Sequence, residues 1–215
     1  MAVKGLIFDM DGTLTDSMGY WWALRRKMCE HIGVPITDEL AAMVDGDADW
    51  GEVRDYLRWN HGLFEEEMDF WNICYQLIGG FYRDEVEPVA GAVEFLRKMK
   101  SEGMKLGVAT ATPRNVAALA LERTGILPLL DGFVSTKDVG CEKVRPDVFI
   151  VCAEQMGITE KDELAVFEDA YYSIRTLKEH GFTVVGVHDR FTPDAEWEML
   201  APLCDRLIED YRELL

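Results

Sequence analysis

Between residues 86 and 188 the chain alternates between two textures. Short β-branched runs, "KLGVATA" (105–111), "GFVST" (132–136), "LAVFED" (164–169) and "TVVGVH" (183–188), predict buried strands. Longer amphipathic stretches separate them: "AVEFLRKMKSEG" (92–103), "RNVAALALERTG" (114–125), "DVFIVCAEQMG" (147–157) and "SIRTLKEHG" (173–181). These predict helices that stop at Gly103, Gly125, Gly157 and Gly181, since glycine accepts the left-handed turn that ends a helix. A further apolar run, "GLIF" (5–8), predicts a first strand. Strand–helix alternation implies an α/β fold, a doubly wound, Rossmann-like parallel sheet with helices on both faces. Ligands of such sheets bind beyond the carboxyl ends of the strands.

Residues 16–85 break the alternation. They carry helical periodicity and no β run, and they hold five of the six tryptophans. "SMGYWWALRRKMCEHIG" places Met18, Trp21, Trp22, Met28, Cys29 and Ile32 near one stripe. "FEEEMDFWNICYQLIGGFY" places Phe64, Met68, Trp71, Tyr75 and Ile78 near another. The expected organisation is an α/β core made of residues 1–15 and 86–215, with an all-helical cap subdomain, residues 16–85, inserted after the first strand.

The ends of the expected strands carry the polar residues that suggest chemistry. The first strand runs into "DMDGTLTD", which delivers Asp9 and Asp11 to one spot, with Gly12 allowing a sharp turn. Clustered carboxylates are unfavourable unless positive charge sits beside them. Asp9 can attack phosphorus and form an aspartyl-phosphate, which divides a difficult hydrolysis into two easier steps. Asp11 can protonate the leaving oxygen and then take a proton from water. "VATATPRN" supplies Thr110, with Thr112 as the expected N-cap and Pro113 at the first helical position; this hydroxyl and the N–H groups around Ala111 would cradle a phosphate. Arg114 adds positive charge beside that cradle. Lys143, just before a helix begun by Pro146 and Asp147, can neutralise both nucleophile and phosphoryl group. Glu168 and Asp169 end another strand and suit a hard divalent cation. The expected cofactor is therefore Mg²⁺, held by Asp9, Asp169 and a backbone carbonyl near Asp11, with Asp11 and Glu168 in the metal-binding set.

Each of these signals has an ordinary alternative. Asp-Gly turns are common, a single lysine is usually solvated, and paired acids often open a helix because the dipole favours them there. Their arrival in order at four strand ends is what tells against coincidence.

Composition narrows the partners. A formal charge of −18 over 215 residues, with 48% hydrophobic content, implies a well-packed chain and excludes a nucleic-acid partner, which wants a basic face. Five cysteines (29, 74, 141, 152 and 204) show no C-x-x-C pairing, as expected of reduced thiols. There is no signal-peptide pattern and no membrane-length apolar run, so the expected location is cytoplasmic, without a membrane partner. A monomer or dimer is expected.

"DMDGT" with Asp9 and Asp11, "VATAT" with Thr110, "KVRPD" with Lys143 and "FED" with Glu168 and Asp169 together resemble the four motifs of the haloacid dehalogenase superfamily, in its phosphatase and β-phosphoglucomutase-like branch. The resemblance spans essentially the whole chain. It implies Mg²⁺-dependent phosphoryl transfer through Asp9, with Asp11 as general acid and base, on a small phosphorylated metabolite. Three departures stand out. Val144 replaces the first proline of the K-P-x-P-D pattern, which is expected to loosen the approach to Lys143 without removing it. Ala170 and Ser173 stand where the family favours Ser and Gly. Trp21 aligns with the cap-hinge histidine of the β-phosphoglucomutases, which makes phosphate-ester hydrolysis the preferred reading over a sugar-phosphate mutase. A receiver-like phospho-acceptor switch is the reading from a different class; it needs neither the second aspartate nor a large helical insertion. Specificity is expected in the cap, with Trp22, Arg25, Trp50 and Arg54 as substrate candidates beside Arg26 and Arg58.

Overall fold

The computed structural model describes residues 3–46 and 48–215. The chain divides into two units, Met1–Ser17 with Val86–Leu215, and Met18–Glu85. Strand β1 (Gly5–Phe8) opens the first unit. The chain then builds the helical unit from α1 (Met18–His31), α2 (Asp38–Val44), α3 (Trp50–His61) and α4 (Glu67–Asp84). It returns through α5 (Ala92–Ser101), β2 (Lys105–Thr110), α6 (Arg114–Arg123), β3 (Gly132–Ser135), α7 (Thr136–Val139) and α8 (Asp147–Gln155). Then follow β4 (Leu164–Glu168), α9 (Tyr171–Glu179), β5 (Thr183–Val187), α10 (Asp194–Leu200) and β6 (Arg206–Ile208).

The six strands form one sheet in the order β3-β2-β1-β4-β5-β6, and every pairing is parallel. β1 and β4 lie side by side at its centre, with Phe8 opposite Phe167, so Asp9 and Glu168 leave the sheet at neighbouring points. One face buries Ile7, Ala109, Val134, Val166 and Val184 against Phe149, Cys152, Ile174 and Leu177 of α8 and α9. Gly107 permits that approach: a Cβ there would stand 2.5 Å from the Met156 sulfur and 2.6 Å from that of Cys152. The opposite face stacks Phe8 on Phe167 at 4.6 Å and adds Phe95 of α5.

Several boundaries differ from expectation. Thr136 opens α7 instead of ending β3, because Ser135 and Asp138 form a capping box at that point. α9 begins at Tyr171, two residues before the expected start. The N-cap of α6 is Pro113, with no side-chain cap bond, so Thr112 is not its cap; its hydroxyl is engaged elsewhere, as shown below. Strand β6 and helix α10 carry no clear pattern of their own, since β6 is three residues long and Arg206 on it is exposed.

In the helical unit, α1 buries Leu24, Arg25, Met28 and Cys29, while Trp22 is exposed. Helix α4 buries Phe70, Cys74, Ile78 and Tyr82, an i, i+4 row. The expected stripe through Phe64 and Met68 is out of phase with it. Phe64 precedes the helix with φ 60°, and Met68 is exposed. Apolar residues surround nearly the whole circumference of α4, so periodicity alone did not select the buried face. Trp50 sits among Trp21, Phe70 and Trp71 at ring distances of 6.2, 6.2 and 5.5 Å. No helix among the described residues is long and apolar enough to cross a membrane.

Candidate active site

The loop after β1 folds back immediately. Leu14 and Thr15 donate their N–H groups to the Met10 carbonyl at 2.8 and 2.9 Å, and Gly12 takes φ 84°, which a side chain would resist. This turn holds Asp11 above the strand end. Ser17 and Thr112 donate hydroxyl protons to its two carboxylate oxygens at 2.6 and 2.8 Å. Thr13, from the same turn, donates to Asp169 at 2.7 Å.

Lys143 comes from the loop before α8 and is fully buried, with its ammonium donating to Asp9 and, at 2.8 Å, to Glu168. Val144, in the place of the family's proline, is exposed and does not draw Lys143 out of the site. The other Glu168 oxygen accepts the N–H groups of Asp169 and Ala170 at 2.9 and 2.8 Å, which ties that carboxylate to the start of α9. Asp9, Glu168 and Asp169 each present an oxygen within 4.8 Å of the others.

This cluster is electrostatically incomplete. Three buried carboxylates face one ammonium. Burial, together with the charges of Glu168 and Asp11, pushes the Asp9 carboxyl up to about 7 against the pull of Lys143. Asp169 is raised for the same first reason, then by Glu168 and Asp9. Burial alone would lower the Lys143 ammonium, yet Asp9, Glu168 and Tyr172 hold it well above its ordinary value. The acids therefore need protons or a second cation. Hard oxygen donors at this spacing fit a divalent metal ion.

Other expected residues are placed as follows. Thr110 is buried at the end of β2 and accepts the Thr112 N–H at 3.1 Å, which leaves its own hydroxyl proton to donate. The Ala111 carbonyl accepts from Thr136 at 3.4 Å. Arg114 turns toward β3, donating to the Phe133 carbonyl and lying 4.7 Å above its ring, and is not brought to the acids. Asp11 stands outside the three-acid group, with its carboxylate engaged by hydroxyls. Within the helical unit, Arg25 is buried and donates to the carbonyls of Gly46 and Ala48. Arg54 pairs with Asp55 at 2.9 Å and Glu67 at 3.3 Å, Arg58 with Glu65 at 3.4 Å, and Arg26 with Asp45. Trp50 lies in the aromatic cluster described above, and Trp22 is exposed. The expected site residues do not include Thr13 or Ser17, and they give Thr112 only as an N-cap. Thr13 and Ser17 lie within a few positions of a strand-end acid, a signal visible in "DGTLTDS"; Thr112, in "TATP", has no acid near it in sequence.

A family model described as haloacid dehalogenase-like hydrolase matches residues 3–181. The chain belongs to that family. Among curated relatives, it is 26% identical over 189 residues to a fructose-1-phosphate phosphatase of Escherichia coli, covering 85% of this chain and 95% of the relative. It is also 26% identical over 193 residues to the β-phosphoglucomutase of Bacillus subtilis, covering 86% and 83%. A solved family hydrolase from Deinococcus radiodurans, with bound phosphate and sodium, matches with a TM-score of 0.70 at 23% identity, covering 99% of this chain and 93% of that one. That likeness speaks to the fold.

Proposed function

We propose that this hydrolase is a Mg²⁺-dependent phosphatase of a small phosphorylated metabolite, working through an aspartyl-phosphate on Asp9. The observation that carries the reading is the position of Asp9: a strand-end carboxylate bound by a buried lysine and grouped with two further acids. Asp9, Asp169 and Glu168 would hold the ion, and its charge would offset the acids and the phosphoryl oxygens. Lys143 orients Asp9 and neutralises part of the charge that develops at phosphorus. The Thr110 hydroxyl and the backbone around Ala111 receive the remaining phosphoryl oxygens. An Asp9 oxygen attacks phosphorus as the ester P–O bond breaks, and Asp11 gives its proton to the leaving alkoxide. Asp11 then removes a proton from water, which attacks the aspartyl-phosphate and releases inorganic phosphate with Asp9 restored.

Hydrolysis is preferred to mutase transfer because of Trp21. Its indole N–H donates to the Tyr82 hydroxyl at 3.0 Å, and an indole neither releases nor takes up a proton near neutral pH, as acid–base work would require. The E. coli relative's name supports the same direction. The test is Mg²⁺-dependent phosphate release across a panel of sugar phosphates, short phosphoacids and nucleotides, with the Asp9→Asn protein as blank. Release by that variant at the wild-type rate would refute the covalent route. Interconversion of sugar phosphates without phosphate release would establish the mutase instead.

A further inference from the structure

Beyond the span of the family model, the last turn of the chain (Tyr211–Leu214) carries a side chain that the reaction described above does not use. Tyr211 is fully buried, and its hydroxyl has no hydrogen-bond partner among the described residues. Its ring packs on Phe95, Phe167 and Phe8 at 5.5, 5.9 and 6.4 Å. Phe8 and Phe167 are the residues directly before Asp9 and Glu168, so the phenol lies against the strand ends that deliver the acids.

An apolar pocket of this kind asks for phenylalanine. A buried, unmatched hydroxyl is destabilising, and buried tyrosines ordinarily find a partner. The segment is also firmly anchored. Asp210 caps the turn by accepting the Arg212 N–H at 2.7 Å, and Lys98 of α5 donates to the Leu215 carbonyl at 2.6 Å. These contacts hold the Tyr211 ring in place.

We infer that Tyr211 is a positioning residue for the acid cluster, its hydroxyl donating through one ordered water to the carboxylates of Asp9 and Asp169. The direction of its perturbation agrees: burial first, then the charges of Asp169 and Asp9, hold the phenol in its protonated, donating form. A bridging water serves such a pair nearly as well as a direct bond. The floor of the cluster is then fixed from the C-terminal turn, while Thr13 and Lys143 fix it from the β1 loop and the loop before α8.

This inference rests on the proposed metal-binding role of the acids, and the experiment separates the two. Tyr211→Phe keeps the ring and removes only the oxygen; Tyr211→Leu removes the ring and serves as the packing control. In the full chain without substrate, titration calorimetry should show Tyr211→Phe binding Mg²⁺ about three- to tenfold more weakly than wild type, with an unchanged or slightly raised melting temperature. Tyr211→Leu should melt well below both. A high-resolution crystal structure of the wild-type protein should show a water within hydrogen-bond distance of the Tyr211 hydroxyl and of a site carboxylate. Mg²⁺ affinity in Tyr211→Phe within twofold of wild type would overturn the inference. If the wild-type protein binds no Mg²⁺, the proposed function fails, and the crystal structure then decides: a dry Tyr211 hydroxyl overturns the inference, and a bridging water supports it.

Discussion

Replacing Lys143 by methionine tests the electrostatic account at its centre. Methionine approximates the length and volume of the lysine stem, so packing against Phe149, 5.4 Å from the ammonium, is largely kept while the charge is removed. The ammonium lies 2.8 Å from Glu168 and is hydrogen-bonded to Asp9. Carboxylates up to 4.8 Å apart repel each other by about 3–4 kcal/mol per pair at an effective dielectric near 20, a repulsion the lysine offsets in the native protein. Removing one partner of a buried ion pair typically costs about 3–5 kcal/mol. In metal-free protein the deficit should depend on pH, and its sign follows from Asp9. Its folded value is raised to about 7, so the neutral form is the one the fold tolerates. The stability this confers is complete at low pH and is lost as pH rises through about 7. Urea unfolding in the presence of chelator should therefore show a larger loss for Lys143→Met at pH 8 than at pH 5.5.

The same substitution should separate binding from turnover. Without the ammonium, the cluster is more negative and should bind Mg²⁺ more tightly, by about tenfold if screening leaves some 1–2 kcal/mol of the repulsion. Phosphate release should nevertheless fall by about 10²–10³, the usual effect of removing one group that stabilises developing charge. Titration calorimetry and a phosphate-release assay read the two effects independently. Equal destabilisation at both pH values, together with weakened Mg²⁺ binding, would refute the charge argument and leave Lys143 a packing residue.

Three further outcomes follow from other parts of the molecule. Asp11→Ala should lower phosphate release by about 10²–10⁴ while Mg²⁺ affinity stays near wild type, because Asp11 lies outside the three-acid group; a loss near unity would assign the proton transfer elsewhere. At the edge of the sheet, partial burial would raise Asp131, but hydrogen bonds from Lys100, Lys105 and the Leu106 N–H draw it down to about 2. Its contribution is present above its ordinary value of 3.8 and is lost as pH falls through about 2, so Asp131→Asn should cost about 1 kcal/mol at pH 7 after solvent screening, with most of that difference gone at pH 2. Gly107→Ala places a methyl against the sulfurs of Met156 and Cys152 and should cost about 1–3 kcal/mol in urea unfolding with activity per folded molecule unchanged.

How legible the molecule was in its sequence depended on how local each signal is. The strands around the site were readable because a central parallel strand is apolar on both faces and ends abruptly in polar residues, as "GLIFD" and "LAVFED" do. Asp9, Lys143, Glu168 and Asp169 could be named because each stands at such an end or just before a helix. Thr112 shows the limit. Its type and place suited an N-cap, but its hydroxyl donates to Asp11, 101 residues away in sequence, and only the parallel pairing of β1 with β2 brings the two loops together. The phase of α4 was unreadable for a different reason. A helix apolar around most of its girth selects its buried face by what packs on it, and Trp50, from α3, helps make that choice. Tyr211 lay beyond reach because a three-residue edge strand and a single 3₁₀ turn carry too little periodicity to signal a docked C-terminus.

The distribution of cations sharpens the case for a bound metal. Each arginine of the helical unit is engaged inside that unit: Arg25 by backbone carbonyls, Arg26 by Asp45, Arg54 by Asp55 and Glu67, Arg58 by Glu65 and Arg83 by Asp84. Most of these pairs are solvent-exposed and add little stability. Beside the cradle, Arg114 is turned to the Phe133 carbonyl and lies 3.9 Å from Asp138. Within the unit that carries the three buried acids, Lys143 is, among the described residues, the side-chain cation hydrogen-bonded to them. A dianionic phosphate ester approaching that cluster would meet a net negative site. Either the acids are protonated, which would disable Asp9 as a nucleophile, or a divalent ion cancels the net negative charge. A nucleophile held against one lysine and two further carboxylates is a sensible arrangement only in the second case, and for that reason the proposed chemistry and the proposed metal stand or fall together.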